Sequence, residues 1–399
     1  MKTLVVSQYY APETGATQNR MTAFVDGLRD RGHEVTVLCE QPNHPAGEFQ
    51  PGFGSRPVVS AREGGVTVHR LWVAASPHKT TARRLAFYGT FAGAAGAAAA
   101  VVPRPDVVFA SSPPLPGPFA VAAVVRARRI PFVLDVRDLW PAAAEALGEL
   151  SNPAIMARLE HAERWLYRHA RTVTATTLPF CRHIDAVAGR RVAVHLPNGA
   201  LDQLLTVAAP PRAAGPFVLG YVGNLGIAQG LGIALDAAER LRKEDVVIRL
   251  VGEGPLREEL TAEISRRGLE GVVELQRGVP VAEVGTVLEG MDALLIPLRA
   301  HDLLGDFIPS KLYDAMAVGR PAIVAAGREA AALVEETGCG IAIAPEDGDA
   351  LAQAVRGLAA DPAQAQWLGA AGRAAAPRFV RSGQVERLDH VLRAVAGAA

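Results

Sequence analysis

The chain has 399 residues, 49% of them apolar and 21% charged, a composition that excludes intrinsic disorder and leaves core for two domains. Its formal net charge is zero, but residues 1–200 hold 22 Lys and Arg against 15 Asp and Glu, whereas residues 201–399 hold 19 against 26. The first half is therefore expected to meet an anionic phospholipid or a phosphate-bearing substrate. Nucleic acid is not an expected partner, because the arginines are scattered and no aromatic-interleaved basic cluster occurs.

The chain start and the cysteines both indicate a cytoplasmic location. The opening MKTLVVSQYY has an apolar run of only residues 4–6, which is too short for the hydrophobic segment of a signal peptide. Cys39, Cys181 and Cys339 are isolated and lack metal-type spacing, as expected in a reducing compartment. We expect neither a disulfide nor structural zinc.

Both halves repeat one pattern, a short β-branched run followed by a turn and an amphipathic helical stretch. The strand candidates of the first half are TLVVSQY, HEVTVLC, VTVHRLW, DVVFAS, PFVLDV, TVTAT and VAVHLP, with helices such as residues 17–31 and 153–169 between them. Those of the second half are FVLGYVG, VVIRLVG, VVELQRG, ALLIPL, PAIVAA and GIAIAP. Strands that alternate with helices predict parallel sheets wound by right-handed crossovers. The predicted fold class is α/β with two doubly wound, Rossmann-like domains.

The domain boundary is predicted within residues 198–215, which are rich in Pro, Ala and Gly and have no clear period. The first domain then covers residues 1–200 and the second covers residues 216–379. Residues 380–399 form a helical pattern with no strand after it. We expect this helix to cross back to the first domain.

Ligands of open α/β sheets bind at the carboxyl ends of the strands, so the loops there are the candidate binding sites. Gly15 precedes the first helix and would let backbone N–H groups approach an anion, or it is an ordinary turn glycine. The loops VGNLGIAQG (222–230) and VGEGPLREEL (251–260) carry further glycines, among them Gly252 and Gly254. The dinucleotide signature G-x-G-x-x-G is absent from the first loop, which argues against an NAD enzyme.

Several segments, in order along nearly the whole chain, resemble one protein family. They are YYAPETGATQNR, RGHEVTVLCEQPNHPAG, PDVVFASSPPLP, VLDVRDLWP, LPNG, YVGNLGIAQGL, VGEGPL and PSKLYDAMAVGRPAI. The chain resembles the family 4 glycosyltransferases, and most closely the bacterial branch that builds O-antigen and exopolysaccharide units. The resemblance implies the GT-B fold, in which two Rossmann-like domains face each other across a cleft. It also implies a nucleotide-diphosphate sugar as co-substrate and no cofactor.

The hallmark of that family is a pair of Glu with seven residues between them, and Asp306 and Asp314 occupy the two positions here. The resemblance implies that Asp314 accepts hydrogen bonds from the ribose and that Asp306 holds a hydroxyl of the transferred sugar. Lys311 and the backbone N–H groups around it would face the diphosphate. The expected donor-binding residues are Gly15, Asn224, Gln229, Gly252, Gly254, Val279, Pro309, Ser310, Lys311 and Asp314.

The chain departs from the family pattern at two places. Many members supply an Arg and a Lys to the diphosphate where this chain has Asn224 and Gln229, so we expect the charge to come from Lys311, the helix dipole and Arg137. Many members also place a His before the Asp of a first-domain loop, where this chain has Arg137 and Asp138. The expected catalytic residues are Asp306, Lys311, Arg137 and Asp138.

The resemblance also implies retention of anomeric configuration by front-face attack, in which the departing phosphate takes the acceptor proton. The protein then needs mainly to hold the donor and stabilise the leaving diphosphate, so no dedicated base is expected, and Asp138 would orient the acceptor. No metal is expected either. The sequence Asp347-Gly348-Asp349 matches the D-x-D of metal-dependent transferases, but it begins a helix, so capping is the predicted role.

The acceptor is the least determined part. His78, Lys79, Arg83 and Arg84 precede residues 85–102, which lack charge but are mostly Ala and Gly, so a first-domain helix is predicted rather than a membrane span. Its start, with Phe87, Tyr88 and Phe91, would touch anionic lipid on the inner face of the membrane, or the helix packs wholly within the domain. The acceptor is accordingly a polyprenyl-linked glycan or a soluble small molecule.

Two functions outside glycosyl transfer stay open. A hydrolysing nucleotide-sugar 2-epimerase shares the fold, although its acid/base set is not found here. A catalytically silent nucleotide-sugar binding protein is suggested only by Asn224 and Gln229.

Overall fold

The computed structural model describes residues 1–13, 15–44, 46–78, 80–146, 148, 152–207 and 215–398. The chain divides into two compact units, of which the first comprises residues 1–197 and 384–399 and the second residues 198–383.

The first unit is an eight-stranded sheet covered by helices, in strand order β3-β4-β2-β1-β5-β6-β7-β8. Except for one edge strand, its strands lie in the predicted β-branched runs. The elements are β1 (Lys2–Val6), α1 (Ala16–Asp30), β2 (Glu34–Glu40), β3 (Val58–Glu63), β4 (Val66–Leu71), α2 (Thr81–Val101), β5 (Val107–Ser112), α3 (Pro116–Ala127), β6 (Phe132–Val136), α4 (Ala142–Ala146), α5 (Pro153–His169), β7 (Thr172–Ala175), α6 (Leu178–Ala188) and β8 (Ala193–His195).

One strand of this sheet was not predicted. β3 pairs antiparallel with β4, and the two-residue turn between them is Gly64-Gly65, with φ of 54° and 89°. Glycine adopts this left-handed backbone without strain, which makes it the usual residue of such hairpins. The expectation of a wholly parallel first sheet is therefore wrong at this edge, while all other strand pairs of the sheet are parallel.

The core of the first unit lies between the sheet and its helices and includes the last helix of the chain. Apolar side chains of β1, α1 and β2 form one buried cluster. Four side chains of the terminal helix (Arg381–Gly397) belong to the same cluster, namely Val385, Leu388, Leu392 and Val395. A buried hydrogen bond of 2.7 Å between His33 Nε2 and Asp389 Oδ1, in which the carboxylate accepts, adds to this packing.

The second unit holds a six-stranded, all-parallel sheet in the order β11-β10-β9-β12-β13-β14. Its elements follow the predicted alternation of strand and helix. They are β9 (Phe217–Val222), α7 (Gly232–Leu241), β10 (Val246–Val251), α8 (Arg257–Arg267), β11 (Val273–Gln276), α9 (Val284–Glu289), β12 (Ala293–Pro297), α10 (Ser310–Val318), β13 (Ala322–Ala325), α11 (Arg328–Thr337), β14 (Gly340–Ile343), α12 (Gly348–Ala360) and α13 (Pro362–Ala375), with α14 (Arg381–Gly397) ending the chain.

The ends of the helices show why the chain folds locally as it does. Asn152 caps α5 by accepting from two backbone N–H groups, and Pro153 takes the first helical position. Asp347 caps α12 by accepting from the N–H of Ala350 at 2.9 Å, which confirms the capping prediction. Gly319 terminates α10 with a left-handed backbone, φ 76°, in which its N–H donates to the carbonyls of Ala315 and Met316.

Candidate functional site

Glycines bring the carboxyl-end loops of β9 and β10 together in the second unit. A Cβ on Gly252 would lie 1.8 Å from the carbonyl oxygen of Gly223, and one on Gly254 would lie 2.5 Å from that of Leu225. Backbone meets backbone here, so these positions leave no room for a side chain. The predicted loop residues Gly252 and Gly254 therefore fix the shape of the β9 loop.

Lys311 lies over this loop from the first turn of α10. A Cβ on Gly223, whose φ is 145°, would be 2.3 Å from the Lys311 Cε, and the ammonium is 5.1 Å from the centre of the Tyr221 ring. Burial lowers the pKa of Lys311, and Asp314 opposes that shift. Within the described residues, no hydrogen bond to the ammonium is found.

Asp314 lies one turn further along α10 and is also partly buried. Its Oδ1 accepts from the backbone N–H of Leu201 at 3.4 Å. Burial raises the pKa of this carboxyl, while Arg381, the Leu201 amide and Lys311 act in the opposite direction. The structure thus brings Asp314 and Lys311 together on one helix, as predicted.

Asp306 has a partner that the sequence analysis did not anticipate. It ends a 3₁₀ turn (Leu303–Asp306), and its Oδ1 lies 2.9 Å from Nη2 of Arg328 at the start of α11. Pro309 and Ser310 lie between Asp306 and Lys311, where Pro309 precedes the helix and no side chain caps its first turn. The backbone N–H of Leu312 donates to the Pro309 carbonyl at 3.0 Å, so within the described residues those of Ser310 and Lys311 are the N–H groups at the start of α10 that can meet an anion.

The remaining predicted donor residues shape the loops. The side chains of Asn224 and Gln229 fold against Gly226, where an added Cβ would lie 2.6 Å from the amide nitrogen of the first and 2.5 Å from Oε1 of the second. That Oε1 is buried without a partner within the described residues. Val279 packs against the hydrophobic cluster of this unit together with Phe307.

In the first unit, Arg137 follows β6 and is held on several sides. Its Nε donates to Ser111 Oγ at 3.0 Å, and its two Nη atoms donate to Thr17 Oγ1 and to the carbonyl of Pro113. Burial lowers the pKa of Arg137, which the neighbouring Asp138 opposes. Thr17 lies in the first turn of α1, two residues after the helix cap Gly15. The hydrogen bond from Arg137 to Thr17 therefore places the predicted residue Arg137 at the start of the helix that Gly15 caps.

Behind Arg137 lies a buried polar network. Asp135 has no exposed surface and accepts from Arg20 at 3.1 Å, Ser111 at 3.0 Å and Thr174 at 2.8 Å. Ser111 donates to Asp135 and accepts from Arg137, so it links the Arg137 guanidinium to the buried network and helps to hold it in place.

Arg137 and Asp138 line a cavity of about 410 Å³ in the first unit. Its cationic or titratable lining comprises His44, His78, Arg83, Arg84 and Arg137, and Asp138 is the one carboxylate among the lining residues. Burial raises the pKa of Asp138, and Arg137 opposes that shift. Its aromatic lining comprises Tyr9, Phe87, Tyr88 and Trp140, with the last two rings edge to face at 6.3 Å. The cavity suits an anion joined to a partly apolar group.

The residues at the start of α2 that were expected to touch lipid lie in different environments. Phe87 and Tyr88 line the cavity, and Leu85 is 41% exposed. Phe91 is wrong as a lipid contact, because it is fully buried against Gly117, where an added Cβ would meet its ring at 2.7 Å. Lys79 lies outside the described residues. Within the described part of the chain, no helix has the length and hydropathy that membrane crossing requires.

A search of the described residues for clusters of His, Cys, Asp and Glu that could hold a metal ion finds none. Asp349, the second carboxylate of the D-x-D sequence, pairs with Arg240 on α7.

Two family models match this chain in sequence, a glycosyl transferase 4-like domain over residues 15–199 and glycosyl transferases group 1 over residues 216–361. The chain belongs to the family 4 glycosyltransferases of the GT-B fold. This confirms the resemblance and the fold class predicted from sequence.

Individual glycosyltransferases are similar to this chain in sequence, and solved structures are similar to it in fold. The putative colanic acid biosynthesis glycosyl transferase WcaI of Escherichia coli K12 is 26% identical over 384 residues, 89% of this chain and 91% of WcaI. Sucrose-phosphate synthase of Thermosynechococcus elongatus shares the fold with a TM-score of 0.76 at 16% identity, covering both chains fully. HepE of Anabaena, solved in complex with UDP, has a TM-score of 0.73 at 19% identity, covering 99% of this chain and 100% of HepE.

Proposed function

We propose that this glycosyltransferase transfers a sugar, with retention, from a UDP- or GDP-type sugar to a polyprenyl-linked glycan in bacterial polysaccharide synthesis. The observation that carries the donor side is Lys311, a partly buried ammonium beside Gly223 at the start of a helix. A cation and free N–H groups in one place favour a diphosphate. The UDP complex of HepE and the colanic acid role in the name of WcaI support the donor and product classes.

The proposed chemistry needs little acid/base machinery from the protein. Charge grows on the diphosphate as the sugar departs, and Lys311 with the α10 N–H groups would stabilise it without a metal ion. The departing phosphate then accepts the proton of the acceptor hydroxyl. Asp314 would hold the ribose and Asp306 the sugar, while Asp138 would orient the acceptor.

The acceptor side rests on the cavity of the first unit. Arg83, Arg84 and Arg137 outnumber Asp138, so the lining favours an acceptor that carries phosphate. Tyr88 and Trp140 add apolar surface on which a sugar ring can pack. A polyprenyl-diphosphate-linked sugar has both groups, whereas a neutral secondary metabolite uses only the aromatic part.

We also propose peripheral contact with the inner face of an anionic membrane. Arg83 and Arg84 open α2 beside the exposed Leu85, and the first 200 residues carry the excess of positive charge. Such contact would present the cavity to a membrane-held acceptor.

The test is a transfer assay in EDTA with UDP-glucose, UDP-galactose and GDP-mannose as donors and a polyprenyl-diphosphate-linked monosaccharide as acceptor. We expect a disaccharide with the anomeric configuration of the donor, assigned by NMR coupling constants. An inverted product, or a strict need for added metal, would contradict the mechanism. Transfer only to a soluble small-molecule acceptor, supplied in a parallel reaction, would replace the lipid-linked glycan as acceptor, and epimerised donor without transfer would favour the epimerase.

A further inference from the structure

Arg328 contacts Asp306, the carboxylate proposed to bind the transferred sugar. Its Nη2 donates to Asp306 Oδ1 at 2.9 Å and to the backbone carbonyl of Asp302 at 3.0 Å. The Asp302 carboxylate lies 3.9 Å from Nη1. One guanidinium therefore joins both ends of the turn that carries Asp306.

Glycines at two positions make this contact possible. A Cβ on Gly305 would lie 3.1 to 3.2 Å from Cζ and both Nη atoms of Arg328, so the guanidinium packs directly on the backbone there. A Cβ on Gly327 would lie 2.2 Å from the Cα of Gly305. The turn is thus held between the Gly327 backbone and the guanidinium, while 63% of the Arg328 side chain stays exposed.

A second reason for a partner lies in Asp306 itself. Its side chain is 29% exposed and is one methylene shorter than the Glu usual in this family, so its reach depends on where the turn holds it. The same Nη2 donates to the Asp306 carboxylate and to the Asp302 carbonyl, so the guanidinium ties this carboxylate to the backbone of its own turn.

We propose that Arg328 is a positioning residue for the transferred sugar: it holds Asp306 and residues 302–306 where the sugar hydroxyl is bound. The inference rests on the proposed function, from which it takes the role of Asp306. Arg328 acts through Asp306, so its loss weakens recognition of the sugar and leaves recognition of the nucleotide unchanged.

The experiment compares nucleotide with nucleotide sugar in Arg328→Ala. Calorimetry is run with UDP, UDP-glucose, GDP and GDP-mannose, and donor hydrolysis is measured in parallel. We expect nucleotide affinity to stay within about twofold, and the affinity gained from the sugar to fall about fivefold, as for an exposed ion pair. Turnover falls by about tenfold or more, because misplaced substrate reacts slowly. Arg328→Lys keeps the charge but not the fork and gives intermediate values.

The matched control is Arg356→Ala. Arg356 is similarly exposed and donates to one carboxylate, Glu244 at 2.7 Å, and one carbonyl, that of Arg240 at 2.9 Å, away from the candidate site. This variant should keep wild-type binding and turnover. A loss equal to that of Arg328→Ala would show a general effect of removing surface arginines and overturn the inference.

A double-mutant cycle tests whether Arg328 acts through Asp306 or affects sugar binding independently of it. If Arg328 acts through Asp306, Asp306→Asn with Arg328→Ala should lose no more sugar recognition than Asp306→Asn alone. Additive losses, or a wild-type ratio of sugar to nucleotide affinity in Arg328→Ala, would overturn the inference alone. If the wild-type protein binds none of the four probes, the proposed function fails and the inference fails with it.

Discussion

Lys311→Met removes the ammonium but keeps an unbranched side chain that can still lie over Gly223. The lysine stem is packed there, since a Cβ on Gly223 would touch its Cε at 2.3 Å, and the ammonium approaches the Tyr221 ring. Methionine fills such a groove well because it is flexible and apolar. The variant therefore tests the charge at this place and leaves the packing of the loop intact.

The size of the effect follows from where the charge sits. Two unit charges 4 Å apart attract by about 4 kcal/mol at an effective dielectric constant of about 20. Part of this is offset, because burial lowers the pKa of Lys311 and so disfavours its charged form. A net loss of about 2.7 kcal/mol, within the range of charge-assisted hydrogen bonds, corresponds to about a hundredfold in rate. Donor affinity should fall less, because charge on the diphosphate grows towards the transition state.

The assay pairs the rate of UDP-glucose or GDP-mannose hydrolysis with calorimetric affinity for the same donors. Thermal unfolding is the control for folding, and the midpoint of Lys311→Met should equal or exceed that of the wild type, because a partly buried charge has been removed. A wild-type rate in a folded variant would refute the reasoning, and so would an affinity loss as large as the rate loss.

Three further predictions concern other groups. Asp314→Asn should lower donor affinity by about one to two orders of magnitude in calorimetry, because a charged acceptor for the ribose becomes a neutral one; unchanged affinity would contradict that role. Burial raises the pKa of Glu163 to about 7 from its usual 4.5. The folded state therefore binds more protons than the unfolded state between these values, and stability is lost as pH rises through that window, by about 3 kcal/mol. Glu163→Gln still accepts from Tyr167 and should flatten this dependence in urea unfolding, whereas parallel curves for both proteins would exclude Glu163 as its source. Binding to acidic vesicles at low salt should weaken with added salt and with Lys79, Arg83 and Arg84 changed to Ser, and a wild-type protein that binds no vesicles would remove the membrane proposal.

The fold was predictable where burial imposes a pattern. Strands of a parallel sheet are covered on both faces and read as continuous β-branched runs, as in β1 and β5. β3 escaped because it is an edge strand with mostly exposed residues, so its sequence VVSARE shows no such run. The sequence feature that indicates this strand is the Gly64-Gly65 pair, a typical two-residue hairpin turn, which lies between β3 and β4.

In the candidate site, only contacts between residues close in sequence could be predicted. Lys311 and Asp314 share one helix, so their proximity follows from sequence spacing alone. The pairing of Asp306 with Arg328 does not, because it depends on how the backbone of Gly305 meets Gly327 across two elements. The signal for Arg328 is the loop between β13 and α11, because a loop at the carboxyl end of a parallel strand is where such a sheet binds ligands.

Phe91 illustrates a second limit of the sequence. Phe87, Tyr88 and Phe91 follow the basic residues at the start of α2, and this pattern predicts one role, lipid contact, for all three. The structure separates them, because Gly117 on α3 has no side chain and opens room for the Phe91 ring. The space left by a glycine on another helix decides which of these aromatic residues is core and which lines the cavity.

The neutral residues at Asn224 and Gln229 can be understood from the same packing. Both side chains fold back on Gly226, so they hold the shape of the β9 loop rather than reach out of it. Lys311 can lie over Gly223 only because that position carries no side chain and adopts a φ of 145°, which glycine alone takes without strain. A loop without its own cations and a lysine laid across it are then two parts of one arrangement. We propose that the Lys311 ammonium takes the place of the two cations that many family members add, so the turnover lost in Lys311→Met should exceed the loss from removing either cation in a member that has both.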